Sequence, residues 1–295
     1  MDSENLTPAE REELFNKKVV ADYLRYGSVD EVFRRNNWDI PISFAGFHRL
    51  LDYWGVVKAA GPNNKMGEAI DFLEELAYEK IPLERLYRNF PPSFKTSVVT
   101  MHRILSHVKS GITRRCATCL VITPSGDTKK ILVARDVSTP RLRYGKPYGA
   151  FSLPMGFSKK NEPREQAILR VLQQEAFTND VLERRFPYDV IPANPKPFCL
   201  FDLIDVRVAV YALELGGELE NVERFSSFKL TDFQYSTVEE IGKNAGEFRM
   251  GVPEIAGVYR DYVNNRAETQ ALPVNVVSRL NRELMDYAVE YGGAD

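Results

Sequence analysis

The stretch GFSKKNEPREQAILRVLQQEAF, residues 156–177, decides how this chain is read. It follows the run GAFSLPM, opens on a glycine, crosses a polar loop and then carries apolar side chains at helical spacing over 164–177. Ile168, Leu169, Val171 and Leu172 make the apolar stripe of that helix. Positions 171, 174 and 175 are separated by three and four residues, so Val171, Gln174 and Glu175 share one helix face. That face offers one carboxylate, one neutral amide and one hydrocarbon.

The flanking sequence supplies strands. CATCLVITPSGDTKKILVARD, from position 116, reads as an apolar strand, a Pro-Ser-Gly-Asp turn and a returning strand. PFCLFDLIDVRVAVYALEL, 197–215, gives one or two more. TVEEIGKNAG, 237–246, reads as a short helix, and 274–291 as a longer amphipathic one. Strands with interspersed helices and few βαβ repeats favour an α/β/α sandwich over a doubly wound sheet.

The N-terminal half is helical in pattern. Residues 10–26 form one helix ending at Gly27, and SVDE then predicts a capping box in which Ser28 and Glu31 satisfy each other's amides. After the turn NNWDIPI, Ser43 opens SFAGFHRLLDYWG, which stops at Gly55. A second round predicts helices over 67–78, from Pro82 and over 96–107. Helix, tight turn, helix is written twice, which is similar to tandem helix-turn-helix modules. The fold class is therefore α+β overall: an all-α tandem helix-turn-helix-like domain over 1–115, then a sandwich over 116–295.

Charge divides the two helical units. Lys and Arg total 39 against 41 Asp and Glu, and a net charge of -2 gives the whole chain no attraction to nucleic acid or membrane. Locally, Arg85, Arg88, Lys95, Arg103, Lys109, Arg114 and Arg115 follow one another with no acid between. Such a run neutralises phosphates and predicts salt-dependent nucleic-acid binding. Thr96, Ser97, Thr100 and Arg103 are expected to face outward on the second recognition helix, with Arg88 and Lys95 against phosphate. In the first unit, Arg34, Arg35 and Arg49 share space with Asp30, Glu31, Asp39 and Asp52.

The N-terminus is polar and no run reaches the ~20 apolar residues of a membrane helix, so a cytoplasmic protein is expected. Three cysteines are too few for a disulfide framework and suit a reducing compartment. CATC, at 116–119, has no second pair or nearby histidine to complete a zinc site, and its cysteines read as core residues of a strand.

Residues 156–178 resemble the Nudix box: Gly, five residues, Glu, seven residues, Arg-Glu, an aliphatic, any residue, Glu-Glu, any residue, Gly, an aliphatic. Gly156, Glu162 and Arg170 match its first three fixed positions, Glu175 matches its last glutamate, and the lead-in FSLPMG is also similar. The departures are Val171 for the first glutamate of the helix, Gln174 for the second and Phe177 for the glycine. In active members that helix face carries carboxylates that hold Mg²⁺ or Mn²⁺ beside a polyphosphate, because hard cations take oxygen ligands.

The resemblance implies structural jobs for the matching residues: Gly156 for the loop turn, Glu162 with Arg170 for holding loop to helix. Glu175 remains as the sole box ligand for a metal, a residual catalytic base, or a partner for a base such as Arg170. Glu165, Asp180, Glu239, Glu240 and Glu247 are candidates to replace the lost ligands.

The expected function is a nucleic-acid-binding regulator that senses a nucleotide-like ligand, with DNA favoured over RNA, no membrane partner, a homodimer as an option, and no obligatory cofactor. Two alternatives stand beside it. One is a Mg²⁺- or Mn²⁺-dependent pyrophosphohydrolase of nucleoside diphosphate derivatives. The other is an RNA 5′-end binder similar to the decapping enzyme, with Tyr144, Tyr148 and Phe151 as stacking candidates, although Phe151 also reads as core.

Overall fold

The computed structural model describes residues 7–58, 115–140, 146–159, 161–265 and 273–283. The expected helices of the second N-terminal unit lie outside these residues. So do the nucleic-acid candidates Arg88, Lys95, Thr96, Ser97, Thr100 and Arg103, and Tyr144.

The chain opens with α1 (Pro8–Tyr26), α2 (Val29–Arg35) and α3 (Phe44–Tyr53). A full capping box starts α1. The Thr7 hydroxyl accepts from the Glu10 amide, and the Glu10 carboxylate accepts from the Thr7 amide. The box expected at α2 is only half formed: Ser28 caps Glu31, but the Glu31 carboxylate turns to Arg34 and Arg35 at 2.6 and 2.7 Å. Two cations at helical spacing outcompete one backbone amide. Between α2 and α3, Phe33 stacks on Phe44 at 4.3 Å, and Asn37 and Trp38 both take left-handed backbone.

Two sheets follow. Strands β1 (Arg115–Pro124), β2 (Lys130–Asp136), β3 (Phe151–Ser152), β4 (Met155–Ser158), β5 (Cys199–Leu203), β6 (Val206–Leu215), β7 (Leu230–Thr237) and β8 (Val274–Val277) divide into a five-stranded sheet, β4-β1-β6-β5-β8, and a three-stranded sheet, β3-β2-β7. Helices α4 (Arg164–Glu175) and α5 (Thr178–Leu182) come between β4 and β5; α6 (Val238–Lys243) and α7 (Val252–Asn264) follow β7. The larger sheet is mixed: β1 runs parallel to β6 and antiparallel to β4.

Alternation along β1 builds both cores at once. Ala117, Cys119 and Val121 enter a core with β5, α6 and α7, whereas Leu120 and Ile122 enter one with α4. A strand buried on both faces reads as a continuous apolar run, as CLVI does. The second core also takes Val19, Val20, Leu24, Phe47 and Leu51, so α1–α3 pack directly on the sandwich.

Three local expectations are corrected. Residues 274–277 are strand, pairing with the open edge of β5, and helix begins only after Ser278. Edge hydrogen bonding and alternating valines outweigh the helical periodicity there. Helix α7, started by Pro253 after Gly251, was not foreseen. Of the two CATC cysteines expected in the core, Cys119 is buried but Cys116 is exposed.

Candidate functional site

The site is assembled around α4. Its entry is fixed by Arg170, which reaches back across the loop and donates to both oxygens of Glu162, Nε to Oε1 at 3.1 Å and Nη2 to Oε2 at 2.8 Å. The two side chains are 2% and 4% exposed. Glu162 also accepts from the Lys159 amide at 3.1 Å, and Arg170 Nη2 reaches Ser158 Oγ at 3.4 Å. The clamp thus joins β4, loop and helix through charge-assisted bonds.

Gly156 serves this clamp differently from the turn expected of it. It lies inside β4, and a Cβ there would sit 3.3 Å from Arg170 Nη1 and 3.7 Å from Val171 Cγ2. The missing side chain leaves room for the guanidinium.

The other functional positions of α4 face different surroundings. Val171 is 1% exposed and belongs to the core with Ile168 and Leu172, as its sequence stripe implied. Gln174 is buried, and its Nε2 has no hydrogen-bond partner among the described residues. Glu175 is buried, and its Oε1 accepts from Lys229 Nζ at 3.0 Å. Arg170, already taken by Glu162, does not pair with it.

Burial pushes the Glu175 carboxyl above the ordinary carboxylate range, and Lys229 opposes that shift. Asp136 and Lys146 also act on Glu175 through their charges. Those two form a pair of their own: Lys146 Nζ stands 3.2 Å from Asp136 Oδ2, and Ser138 Oγ donates to Asp136 Oδ1 at 2.6 Å. Two lysines and two carboxylates thus gather where β2 ends and α4 ends.

Lys229 is held in place by its backbone. The segment before β7 runs along the last turn of α4, with the Ser226 amide donating to Ala176 O at 2.8 Å and Ser227 Oγ to Gln174 O at 2.9 Å. On its other side, Lys229 O accepts from the Val137 amide at 2.9 Å. The backbone from which the ammonium reaches Glu175 is therefore held between the end of α4 and the end of β2. Nothing local in SSFKL announces this, because the pair is closed by a contact 54 residues apart in sequence.

A divalent cation does not fit these residues while Lys229 occupies Glu175. Mg²⁺ takes six oxygens at about 2.0–2.1 Å. Here the helix face gives a hydrocarbon, an amide and a carboxylate already occupied by an ammonium. The expected substitutes have other work: Asp180 pairs with Arg224 at 3.2 Å, and Glu240 caps α6 through Thr237. Glu165, Glu239 and Glu247 are exposed. Among the described residues, no three His, Cys, Asp or Glu side chains gather as a metal site.

Gln173, at a box position that accepts any residue, ties α4 to the N-terminal helices. It is fully buried; its Nε2 donates to Gly55 O at 2.7 Å and its Oε1 accepts from the Val57 amide at 2.9 Å. Both bonds fasten the chain leaving α3 to the box helix. Beside them Arg184, just after α5, lies 4.4 Å over the ring of buried Trp54 and reaches Glu13 of α1 at 3.5 Å. Gly55 takes left-handed backbone, and a Cβ there would clash with the Tyr188 hydroxyl.

Of the remaining expectations, Tyr148 is exposed, while Phe151 is core and packs beneath Arg135 at 4.2 Å. Arg115, the last of the basic run, stands 3.8 Å from Asp205. No helix among the described residues is long and apolar enough to cross a membrane.

The strand-loop-helix with its buried Glu–Arg clamp, set in a mixed sandwich, defines a Nudix-type fold preceded by a helical region. No family model matches the sequence, and no curated protein matches it. Among solved structures, a Nudix hydrolase from Nitrosomonas europaea is similar at 16% identity, over 56% of this chain and 78% of that one, with a TM-score of 0.37. A C. elegans Ap4A hydrolase is similar at 18% identity, over 51% and 98%, with a TM-score of 0.36. NrtR from Shewanella oneidensis is similar at 14% identity, over 52% and 65%, with a TM-score of 0.37.

Proposed function

We propose that this chain is a Nudix-fold protein that binds a nucleotide-like ligand without hydrolysing it and uses its helical region to contact nucleic acid, DNA rather than RNA. The observation that carries the non-hydrolytic part is the state of the metal face. Val171 is committed to the core and Glu175 to Lys229, so neither is free to hold a cation or activate water.

The regulatory part is supported by the junction at Gln173. Any displacement of α4 by a ligand is passed by two hydrogen bonds to the exit of α3, from which the chain runs into the basic segment. The basic run supplies the phosphate contacts in this reading, with Arg103 on the reading helix and Arg88 and Lys95 against the backbone.

The test begins with the full chain, Mg²⁺ or Mn²⁺, and a panel of nucleotide sugars, dinucleotides, triphosphates and capped RNA. Binding without turnover is the expected result. Turnover that Glu175→Gln abolishes sinks the reading and returns the chain to the pyrophosphohydrolases. A duplex-shift titration then completes the test: affinity falls with salt, drops on Arg103→Ala and responds to the bound panel member. A shift confined to capped RNA selects the RNA-end binder instead.

A further inference from the structure

We propose that Lys229 plays the electrostatic role of a divalent cation, so that this protein carries its own cation covalently against the last glutamate of the box. The inference deepens the proposed non-hydrolytic reading of that site and rests on it only in holding that the metal face is not catalytic.

Glu175 and Asp136 have side chains 7% and 6% exposed, and two buried carboxylates repel each other and lose solvation. A buried pair of acids persists in ionised form only beside positive charge. In this chain the charge comes from Lys229 Nζ, 3.0 Å from Glu175, and Lys146 Nζ, 3.2 Å from Asp136. Each carboxylate has its ammonium, and the group balances without an ion from solution.

Position is the second part. A lysine that pairs with an acid by chance does so on a flexible stem, but Lys229 is strapped at both of its peptide groups. Its amide donates to Ser227 Oγ at 3.0 Å, and its carbonyl accepts from Val137. Ser227 is itself bonded to Gln174 O on the same helix turn. The ammonium is delivered to the last glutamate of the box from a segment that grips the box helix. Its side chain stays 25% exposed, which lowers the cost of desolvating it.

The neighbouring substitution agrees with this. Gln174 brings a neutral amide in place of a carboxylate, and its buried Nε2 has no hydrogen-bond partner among the described residues. With Val171 and Gln174 both uncharged, Glu175 is the one box carboxylate left, and a single ammonium balances it.

Thermal unfolding of the full chain in EDTA and in Mn²⁺ tests the proposal, using the natural protein, Lys229→Met, Glu175→Gln and the double variant. The natural protein is expected to melt at one temperature in both conditions. Lys229→Met is expected to melt lower in EDTA by about 6 to 12 °C and to recover in Mn²⁺, which replaces the missing charge. The double variant, charge-balanced again, recovers most of the loss and ignores Mn²⁺.

Lys229→Met as stable as the natural protein, or destabilised without Mn²⁺ recovery, overturns the proposal. So does Mn²⁺ stabilisation of the natural protein that Glu175→Gln removes. If Lys229→Met does not fold, Mn²⁺ electron paramagnetic resonance decides: no Glu175-dependent binding by the natural protein supports the internal cation, and such binding overturns it. Turnover of a panel nucleotide would defeat the proposed function while leaving these melting results to be judged separately.

Discussion

Arg170 and Glu175 are five residues apart on one helix, both buried and both ion-paired, yet they belong to two different regions of the box. Arg170 meets Glu162 locally, with two parallel bonds across a short loop, in the geometry the box spacing implies. Glu175 meets Lys229 through a single contact that the spacing says nothing about. The first pair joins loop to helix; the second ties the end of the helix to the segment before β7. Two tasks are therefore separable, although they share a helix.

That contrast can be broken most forcefully at the clamp. Arg170→Ala leaves Glu162 buried with its charge unmatched and is expected to cost about 3–5 kcal/mol in denaturant unfolding. Arg170→Lys keeps the charge but not the fork, and is expected to recover only part of it. Equal stability of all three proteins would remove the distinction between the two regions.

A slightly smaller loss is expected from Val171→Glu, about 3 kcal/mol, because it places an unpaired carboxyl in the core at a position 1% exposed. Gln174→Glu alone should cost less. If Val171→Glu is instead neutral and creates Mn²⁺ binding, the face is still a metal face and the comparison fails. Gln173→Ala comes next, at about 2 kcal/mol, since it removes two hydrogen bonds and leaves a carbonyl and an amide of the α3 exit without partners. It sharpens the comparison by adding a third task to the same helix; the readout is hydrogen exchange at Val57.

The smallest effect concerns Glu31, a partly exposed group on α2. Hydrogen bonds from Arg34 and then Arg35 lower its pKa from 4.5 to about 2. A lowered folded-state value stabilises above the unfolded one, so its contribution is complete above about 4.5 and is lost as pH falls through about 2. Exposure keeps the effect small. A carboxyl NMR titration of Glu31, shifted by Arg34→Ala, checks it.

The clamp was legible through the resemblance to the Nudix box, whose spacing Gly156, Glu162 and Arg170 match. Val171 was legible too, since its place in an apolar stripe and its absence as an acid say the same thing. Lys229, Asp136 and Lys146 were not, because they come from three separate segments and acquire meaning only when the strand ends and the last turn of α4 converge. Gln173 was hidden for another reason: a box position open to any side chain carries no chemical signal. The strand at 274–277 was misread because an edge partner is a property of the sheet, not of the segment.

The chain's two tryptophans differ in their surroundings in a way that gives the protein a built-in optical probe. Trp54 is 5% exposed and lies beneath Arg184 at the seam between α3 and the box helix, whereas Trp38 is 60% exposed at the aromatic turn. With Trp38 changed to Phe, emission comes from the seam alone. A red shift and new access for iodide would then report its opening directly, in the same cuvette in which nucleotide and duplex are added.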